Sequence, residues 1–122
     1  MYFCKQKFKQ LSTDMQTRTL SLSDLTGMAQ RIMPKGSKIW LYGSRARGEA
    51  RADSDWDILV LIDKPKIEED DFEKFSYPFI ELGWTFGADV SPQMYTRKEW
   101  EAMHITPYYQ NIEQDKKIVY ES

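Results

Sequence analysis

Two aspartates separated by one residue stand directly before the most apolar segment of the sequence. Asp55 and Asp57 are followed by the run Ile58-Leu59-Val60-Leu61-Ile62. Because side chains alternate across a strand, this spacing places both carboxylates on the same face. A strand over residues 57–62 would be apolar on both faces, which is typical of a strand inside a sheet covered on both sides. The segment therefore predicts a central strand that begins with paired carboxylates.

A second apolar strand ends in glycine and serine. The predicted strand is Lys38-Ile39-Trp40-Leu41-Tyr42, and the link that follows is Gly43-Ser44-Arg45-Ala46-Arg47-Gly48. Gly43 would let the backbone approach phosphate closely, and Ser44 would offer a hydroxyl and an N–H at a possible helix start. Arg45 and Arg47 would neutralise a triphosphate as negative charge moves onto the leaving group. Since Mg²⁺ takes carboxylate and phosphate oxygens as ligands, the aspartates and this link together predict a nucleoside triphosphate site.

The composition restricts the class of protein. A chain of 122 residues with 41% hydrophobic and 30% charged residues predicts a single globular domain. The net charge of −2 argues against bulk binding of nucleic acid. Cys4 is the single cysteine of the sequence, so an internal disulfide or a cysteine-based zinc site is excluded. The absence of a long apolar run and of a hydrophobic leader predicts a cytoplasmic protein without a membrane span.

The remaining sequence divides into an N-terminal extension, residues 1–20, and a domain over residues 21–122. A capping box of Ser21 and Asp24 predicts a helix that ends before Pro34. Apolar residues at helical spacing predict a helix over Glu68–Leu82, which Pro78 should kink or split. Further capping signals predict a short helix after Thr96 through about Met103 and a second helix from Thr106-Pro107. The inner face of the second helix is expected to carry Tyr108, Tyr109 and Ile112. A short final strand is expected at Ile118-Val119-Tyr120.

A third carboxylate lies on another predicted strand. Trp84, Phe86, Ala88 and Val90 alternate with polar residues and glycine, which predicts a strand over residues 84–91 with Asp89 on its polar face. If this strand neighbours the one after Asp55, three carboxylates converge at one sheet edge. Such a set fits the two-metal scheme for in-line displacement at phosphorus, in which the ions lie roughly 3.5–4 Å apart.

The spacing of these residues resembles a known family. Gly43-Ser44, ten residues, and then Asp55-Trp56-Asp57 is similar to the GSx10DxD signature of the polymerase-β-type nucleotidyltransferase superfamily. The form Gly-Ser-Arg-Ala-Arg-Gly with Ser-Asp-x-Asp resembles its small stand-alone members, the minimal nucleotidyltransferases (MNT). The resemblance covers about Leu22 to Tyr120, and Asp89 matches the third acid of the family in position, with a weaker local motif.

The resemblance implies an α+β (α/β) fold, a mixed β-sheet flanked by helices, and transfer of a nucleoside monophosphate from ATP or another NTP with two Mg²⁺ ions. By the same resemblance, Asp55 and Asp57 hold both metals, while Asp89 holds the catalytic ion and helps to deprotonate the acceptor hydroxyl. Minimal members often act as antitoxins to a helical HEPN ribonuclease, some by transferring AMP onto a tyrosine of that toxin. The small size of the chain further suggests an acceptor supplied in trans.

Several alternatives remain open from the sequence. The protein is expected to be an adenylyltransferase acting on a partner protein; it could instead be an antitoxin that acts by binding alone, or a transferase for a small molecule such as an aminoglycoside. Within the loop, Arg51 has no decided role, Asp53 is interpreted as a turn residue, and Ser54 either caps the loop or bonds a carboxylate. His104 has no partner at ligand spacing and is interpreted as structural.

Overall fold

The computed structural model of the protein describes residues 19–122. The predicted extension, residues 1–20, lies outside the described residues except for Thr19 and Leu20, and Leu20 is buried in the core. Within the described part, no helix is long and apolar enough to cross a membrane.

Five helices and four strands make up the described chain. In order they are α1 (Leu22–Ile32), β1 (Lys38–Tyr42), β2 (Trp56–Ile62), α2 (Asp71–Phe75), α3 (Tyr77–Thr85), β3 (Val90–Thr96), α4 (Arg97–Ala102), α5 (Pro107–Asp115) and β4 (Lys117–Glu121). The strands form one sheet in the order β3-β2-β1-β4. Strand β1 pairs antiparallel with β2 and β4, whereas β2 and β3 are parallel. The predicted mixed sheet flanked by helices is confirmed.

Strand β2 pairs with β1 on one edge and β3 on the other, and both of its faces are covered. On one face Ile58, Val60 and Ile62 pack with helices α1 and α3, which contribute residues such as Leu25 and Phe79. On the other face Leu59 and Leu61 pack with Trp40 of β1, Trp100 of α4 and Ile112 of α5. The two clusters bury the apolar run on both sides, as its composition predicts.

The predicted capping signals are confirmed where the structure tests them. Ser21 and Asp24 form a capping box at the start of α1, and Thr96 and Glu99 form another at the start of α4. Pro107 occupies the first turn of α5. Each motif satisfies backbone N–H groups that a helix start leaves without partners, or replaces one of them by proline.

The predicted helix over residues 68–82 is divided in two. Ser76 separates α2 from α3, and Pro78 lies at the second position of α3, where its missing N–H costs no helical hydrogen bond. The first half begins at Asp71 instead of Glu68, because the buried Asp71 carboxylate accepts hydrogen bonds from the Glu68 N–H at 2.7 Å and the Lys64 ammonium at 3.0 Å. These two bonds lower the pKa of Asp71.

The predicted strand over residues 84–91 is wrong in its position. Helix α3 continues through Thr85, and the N–H groups of Gly87 and Ala88 donate to the carbonyls of Trp84 and Gly83. This pairing, with Gly87 at φ +71°, is a Schellman ending of the helix. Strand β3 therefore starts only at Val90 and runs to Thr96, so Asp89 directly precedes the strand.

Gly83 lies where α3 packs against β3. A Cβ atom added there would lie 2.7 Å from Val90 Cγ2 and 3.0 Å from the Ala88 carbonyl oxygen, whereas a Cβ added at Gly27 of α1 would meet nothing within 4 Å. We expect Gly83→Ala to lower the free energy of unfolding by about 1–2 kcal/mol, because the clash outweighs the gain in helix propensity. Gly27→Ala should raise it by about 0.5–1 kcal/mol. Urea denaturation of both variants measures the contrast, and an equal effect of the two substitutions would contradict the packing explanation.

Candidate active site

The link between β1 and β2 begins with a close contact between Gly43 and Asp57. Gly43 has φ +77°, and a Cβ atom built on it would lie 2.5 Å from Asp57 Oδ2. Both the left-handed backbone and the position of the carboxylate therefore require glycine at residue 43. The sequence predicted this glycine for an approach to phosphate, and the structure adds its approach to an acidic side chain.

Ser44 lies in a series of turns. The N–H groups of Ala46 and Arg47 donate to the Gly43 carbonyl, and the Glu49 N–H donates to the Ser44 carbonyl. Residues 44–48 are therefore turns and not the start of a regular helix, which corrects the possible helix start considered from the sequence. The Ser44 side chain is half-buried beside the Gly43 backbone.

Asp55 and Asp57 lie at the beginning of β2, on one face of the strand. Asp57 is half-buried and pairs in register with Tyr42 of β1 and Ser91 of β3. Asp55 is exposed and directly precedes the strand, while Trp56 between them is buried on the opposite face. Burial raises the pKa of Asp57, and the charge of Asp55 raises it further.

Asp89 lies at the same edge of the sheet. Its carbonyl accepts a hydrogen bond from the Trp56 N–H at 2.9 Å, and the next pairs in register are Trp56 with Val90 and Asp57 with Ser91. The backbone of Asp89 is thus adjacent to the start of β2, as the convergence of acids requires. Within residues 19–122, however, no three His, Cys, Asp or Glu side chains lie close enough together to hold a metal ion.

Ser91 is a site residue that the sequence reasoning missed. It follows Asp89 by two residues, and its hydroxyl donates to Asp55 Oδ2 at 3.4 Å. Its place beside Asp55 depends on the register between β2 and β3, in which Ser91 pairs with Asp57, and the spacing within one segment does not determine that register.

The two arginines of the link make different contacts. The Arg45 guanidinium donates to the carbonyls of Arg51, Ala52 and Ser54, and lies 4.4 Å from the centre of the Trp56 ring. Arg47 is exposed and forms ion pairs with Glu49 at 3.0 Å and Asp115 at 3.4 Å.

The charge of Arg47 acts on Asp57. It lowers the pKa of Asp57 against the larger effects of burial and of Asp55. Arg47 therefore provides positive charge within electrostatic range of Asp57, whereas Arg45 contacts the loop and the Trp56 ring. The prediction that Arg45 contacts phosphate stays a prediction.

Tyrosine side chains lie near Asp57 on its face of the sheet. Tyr42 is paired with Asp57 across the strands, and the rings of Tyr42 and Tyr108 meet edge to face with their centres 6.4 Å apart. Burial raises the pKa of Tyr95 and of Tyr108 to about 12. These phenols therefore remain protonated at neutral pH. Tyr42 is a further neighbour of the site that the sequence reasoning did not identify.

The undecided loop residues and His104 have simple structural explanations. The Ser54 hydroxyl accepts from the Arg51 N–H at 2.9 Å, so it stabilises the turn before Asp55. Asp53 is exposed in that turn. His104 is exposed after α4, with Nδ1 3.1 Å from the Glu101 carbonyl oxygen.

The chemistry of the carboxylate pair fits a divalent cation. Asp55 and Asp57 supply hard oxygen donors on one face. Burial and, after it, the negative charge of Asp55 raise the pKa of Asp57, and a bound cation would oppose both effects. The Gly43 backbone leaves space beside Asp57 Oδ2 that any side chain would fill. A metal bound there would take its remaining ligands from the phosphates of a nucleotide.

Comparison with solved structures identifies a related fold. The chain is similar to a crystal structure of a toxin–antitoxin with AMP-PNP, at 17% identity and a TM-score of 0.58, over 84% of this chain and 75% of that one. At this identity the likeness shows the fold alone. A search among curated proteins finds no match.

Comparison with protein families identifies the chain more directly. The family model described as a nucleotidyltransferase domain matches residues 26–120. This range contains the Gly-Ser link, the paired aspartates, Asp89, strands β1 to β3 and all of β4 except Glu121. The fold is that expected of the polymerase-β type, and the protein belongs to the nucleotidyltransferase domain family.

Proposed function

We propose that the protein is a Mg²⁺-dependent adenylyltransferase that moves AMP from ATP onto a hydroxyl of a partner protein. The partner would be a HEPN-type toxin, the acceptor one of its tyrosines, and the protein its antitoxin. The observation that carries this proposal is the pair Asp55 and Asp57 on one face of β2, with Asp57 against the Gly43 backbone. The related toxin–antitoxin structure with AMP-PNP supports the nucleotide and a toxin as the partner.

The reaction forms a bond between the acceptor oxygen and the α-phosphorus of ATP. The bond from that phosphorus to the oxygen bridging to the β-phosphate breaks, and pyrophosphate leaves with its electron pair. The acceptor hydroxyl loses its proton, for which Asp89 is the proposed base. Two Mg²⁺ ions held by Asp55, Asp57 and Asp89 would supply Lewis-acid stabilisation of the charge that develops on the phosphate oxygens.

The other site residues would bind the triphosphate. Gly43 and Ser44 offer backbone N–H groups, and Ser44 also offers its hydroxyl. Arg47 contributes positive charge on the side of Asp57. The protonated hydroxyl of Tyr42, which is paired with Asp57 across the strands, is available to orient an oxygen of the substrate.

The first prediction of this proposal concerns the paired aspartates, Asp55 and Asp57. Asp55→Asn and Asp57→Asn should each lower transfer of label from α-labelled ATP to the co-expressed partner toxin by at least about 100-fold, because each removes a charged oxygen ligand. Asp53→Asn is the matched control, since Asp53 is an exposed turn residue of the same loop. If all three variants label the partner equally, the catalytic proposal is wrong. Neutralisation of the toxin that survives loss of both acids would favour an antitoxin that acts by binding.

The second prediction concerns the glycines of the link. Gly43 and Gly48 both have positive φ, of +77° and +74°, but only a Cβ at Gly43 meets Asp57. Alanine at either position should cost about 1–2 kcal/mol of unfolding free energy through backbone strain. Gly43→Ala should in addition lower transfer activity by at least about tenfold, because it displaces the Asp57 carboxylate. Parallel unfolding and activity measurements test this, and equal activities in two equally destabilised variants would contradict it.

The third prediction concerns the stability of the metal-free protein. Because the pKa of Asp57 is raised in the folded state, ionisation of this carboxyl destabilises the fold at pH values above the ordinary Asp pKa. In EDTA at pH 7, Asp57→Asn should therefore raise Tm by a few degrees, on the order of 0.5 kcal/mol once solvent screening is included. The difference should vanish as the pH falls below about 3.9.

Added MgCl₂ provides the second half of this measurement. It should raise Tm of the wild type, because a cation that binds the folded state stabilises it, and should leave Tm of Asp57→Asn nearly unchanged. If Asp57→Asn is less stable than the wild type at pH 7 in EDTA, the negative charge of Asp57 does not destabilise the folded protein and the prediction is wrong.

A further inference from the structure

The guanidinium of Arg45 fixes the end of the loop that carries Asp55. Its Nε donates to the Ser54 carbonyl at 3.1 Å, and its Nη2 donates to the same carbonyl at 2.9 Å. Nη2 also lies 3.3 Å from the Arg51 carbonyl oxygen and 3.2 Å from that of Ala52. Three carbonyls of a segment without regular structure thus receive hydrogen bonds from one side chain.

The same guanidinium also contacts the residue that follows Asp55. Its Cζ lies 4.4 Å from the centre of the Trp56 ring, within the range of a cation–π interaction. Trp56 is 9% exposed and packs in the core on the face opposite the carboxylates. Arg45 therefore holds Asp55 from both sides, through the carbonyl of Ser54 and the ring of Trp56.

Asp55 depends on such contacts more than Asp57 does. Asp57 lies within β2 and is paired with Tyr42 on one side and Ser91 on the other. Asp55 precedes the strand, is exposed, and has a long hydrogen bond of 3.4 Å from Ser91. A loss of order in residues 51–54 would therefore move Asp55 while leaving Asp57 in the sheet.

We infer that Arg45 is a positioning residue for Asp55. The inference rests on the proposed function in that Asp55 is taken to be a metal ligand. The contacts of Arg45 with the loop do not depend on the proposed function. A phosphate ligand would need a guanidinium free to leave the loop, and Arg45 donates through Nε and Nη2 to backbone carbonyls.

Hydrogen exchange tests the positioning directly. In Arg45→Ala, the backbone N–H groups of Arg51 and Ser54, which donate to the Ser54 hydroxyl and the Arg51 carbonyl, should exchange about tenfold faster than in the wild type. Arg45→Lys should behave similarly, because one ammonium cannot span three carbonyls and stack on Trp56. Arg51→Ala is the matched control, since it removes an arginine side chain from the same loop but keeps the carbonyl. Unchanged exchange in both Arg45 variants overturns the inference.

Metal binding and kinetics separate positioning from phosphate contact. Titration with Mn²⁺, followed by electron paramagnetic resonance, should show affinity weakened about 10- to 100-fold in Arg45→Ala and Arg45→Lys. The kcat for adenylyl transfer should fall in both variants while KM for ATP changes by less than about threefold, and Arg47→Ala should mainly raise KM. A raised KM in Arg45→Ala that Arg45→Lys restores, with wild-type Mn²⁺ affinity, would assign Arg45 to phosphate.

The outcomes distinguish this inference from the proposed function. If the wild type transfers no nucleotide, the proposed function fails, and the exchange of the Arg51 and Ser54 amides still decides whether Arg45 holds the loop. If transfer occurs but exchange and Mn²⁺ affinity are unchanged in the Arg45 variants, the inference fails and the proposed function stands.

Discussion

The contact between the Gly43 backbone and the Asp57 carboxylate sets the geometry of the whole link. Strands β1 and β2 are antiparallel neighbours, and Tyr42 lies directly opposite Asp57. The residue after Tyr42 must therefore turn away from the carboxylate beside it, and a Cβ at that position would lie 2.5 Å from Asp57 Oδ2. A glycine with positive φ satisfies both conditions and starts the series of turns that contains Ser44 and the two arginines. The positions of these residues follow from one strand pair.

The electrostatics of this corner are unfavourable to the metal-free fold and suited to a cation. Burial and the charge of Asp55 both raise the pKa of Asp57, and the opposing effect of Arg47 is the smallest of the three. Arg47 also forms ion pairs with Glu49 and Asp115, and these two carboxylates partly neutralise its charge. Neighbouring tyrosines with raised pKa values add no negative charge at neutral pH. The Asp57 carboxylate thus lacks full compensation from the protein, an arrangement that a bound cation would complete.

Local sequence signals predicted most elements, and they failed where distant packing decided. The capping boxes at Ser21 and Thr96 and the apolar run of β2 depend on nearby residues, so they could be predicted from the sequence. The alternation from Trp84 to Val90 fits a strand equally well, but Trp84 and Thr85 end helix α3, a Schellman turn follows, and only Val90 belongs to β3. Gly83 allows this arrangement because it packs closely against Val90. Strand β3 contains Pro92, which is tolerated because β3 is at the edge of the sheet. The paired aspartates were placed correctly at the start of β2 because their spacing is local. Ser91 was missed because its place beside Asp55 depends on the register with β3.

The distinction between Arg45 and Arg47 shows what a motif leaves undetermined. Both lie in one short link, two residues apart, and both are chemically suited to phosphate. The difference arises from the opposite faces of β2, because Trp56 points into the core and Asp55 and Asp57 point to the other side. Arg45 stacks on the Trp56 ring, whereas Arg47 acts on Asp57. One face of β2 thus carries the groups suited to the reaction, and the opposite face anchors the segment that holds them. Side chains alternate between the two faces of a strand, so Trp56 and Asp57 face different environments although they are neighbours in the sequence. This alternation alone separates the residue that Arg45 contacts from the residue on which Arg47 acts.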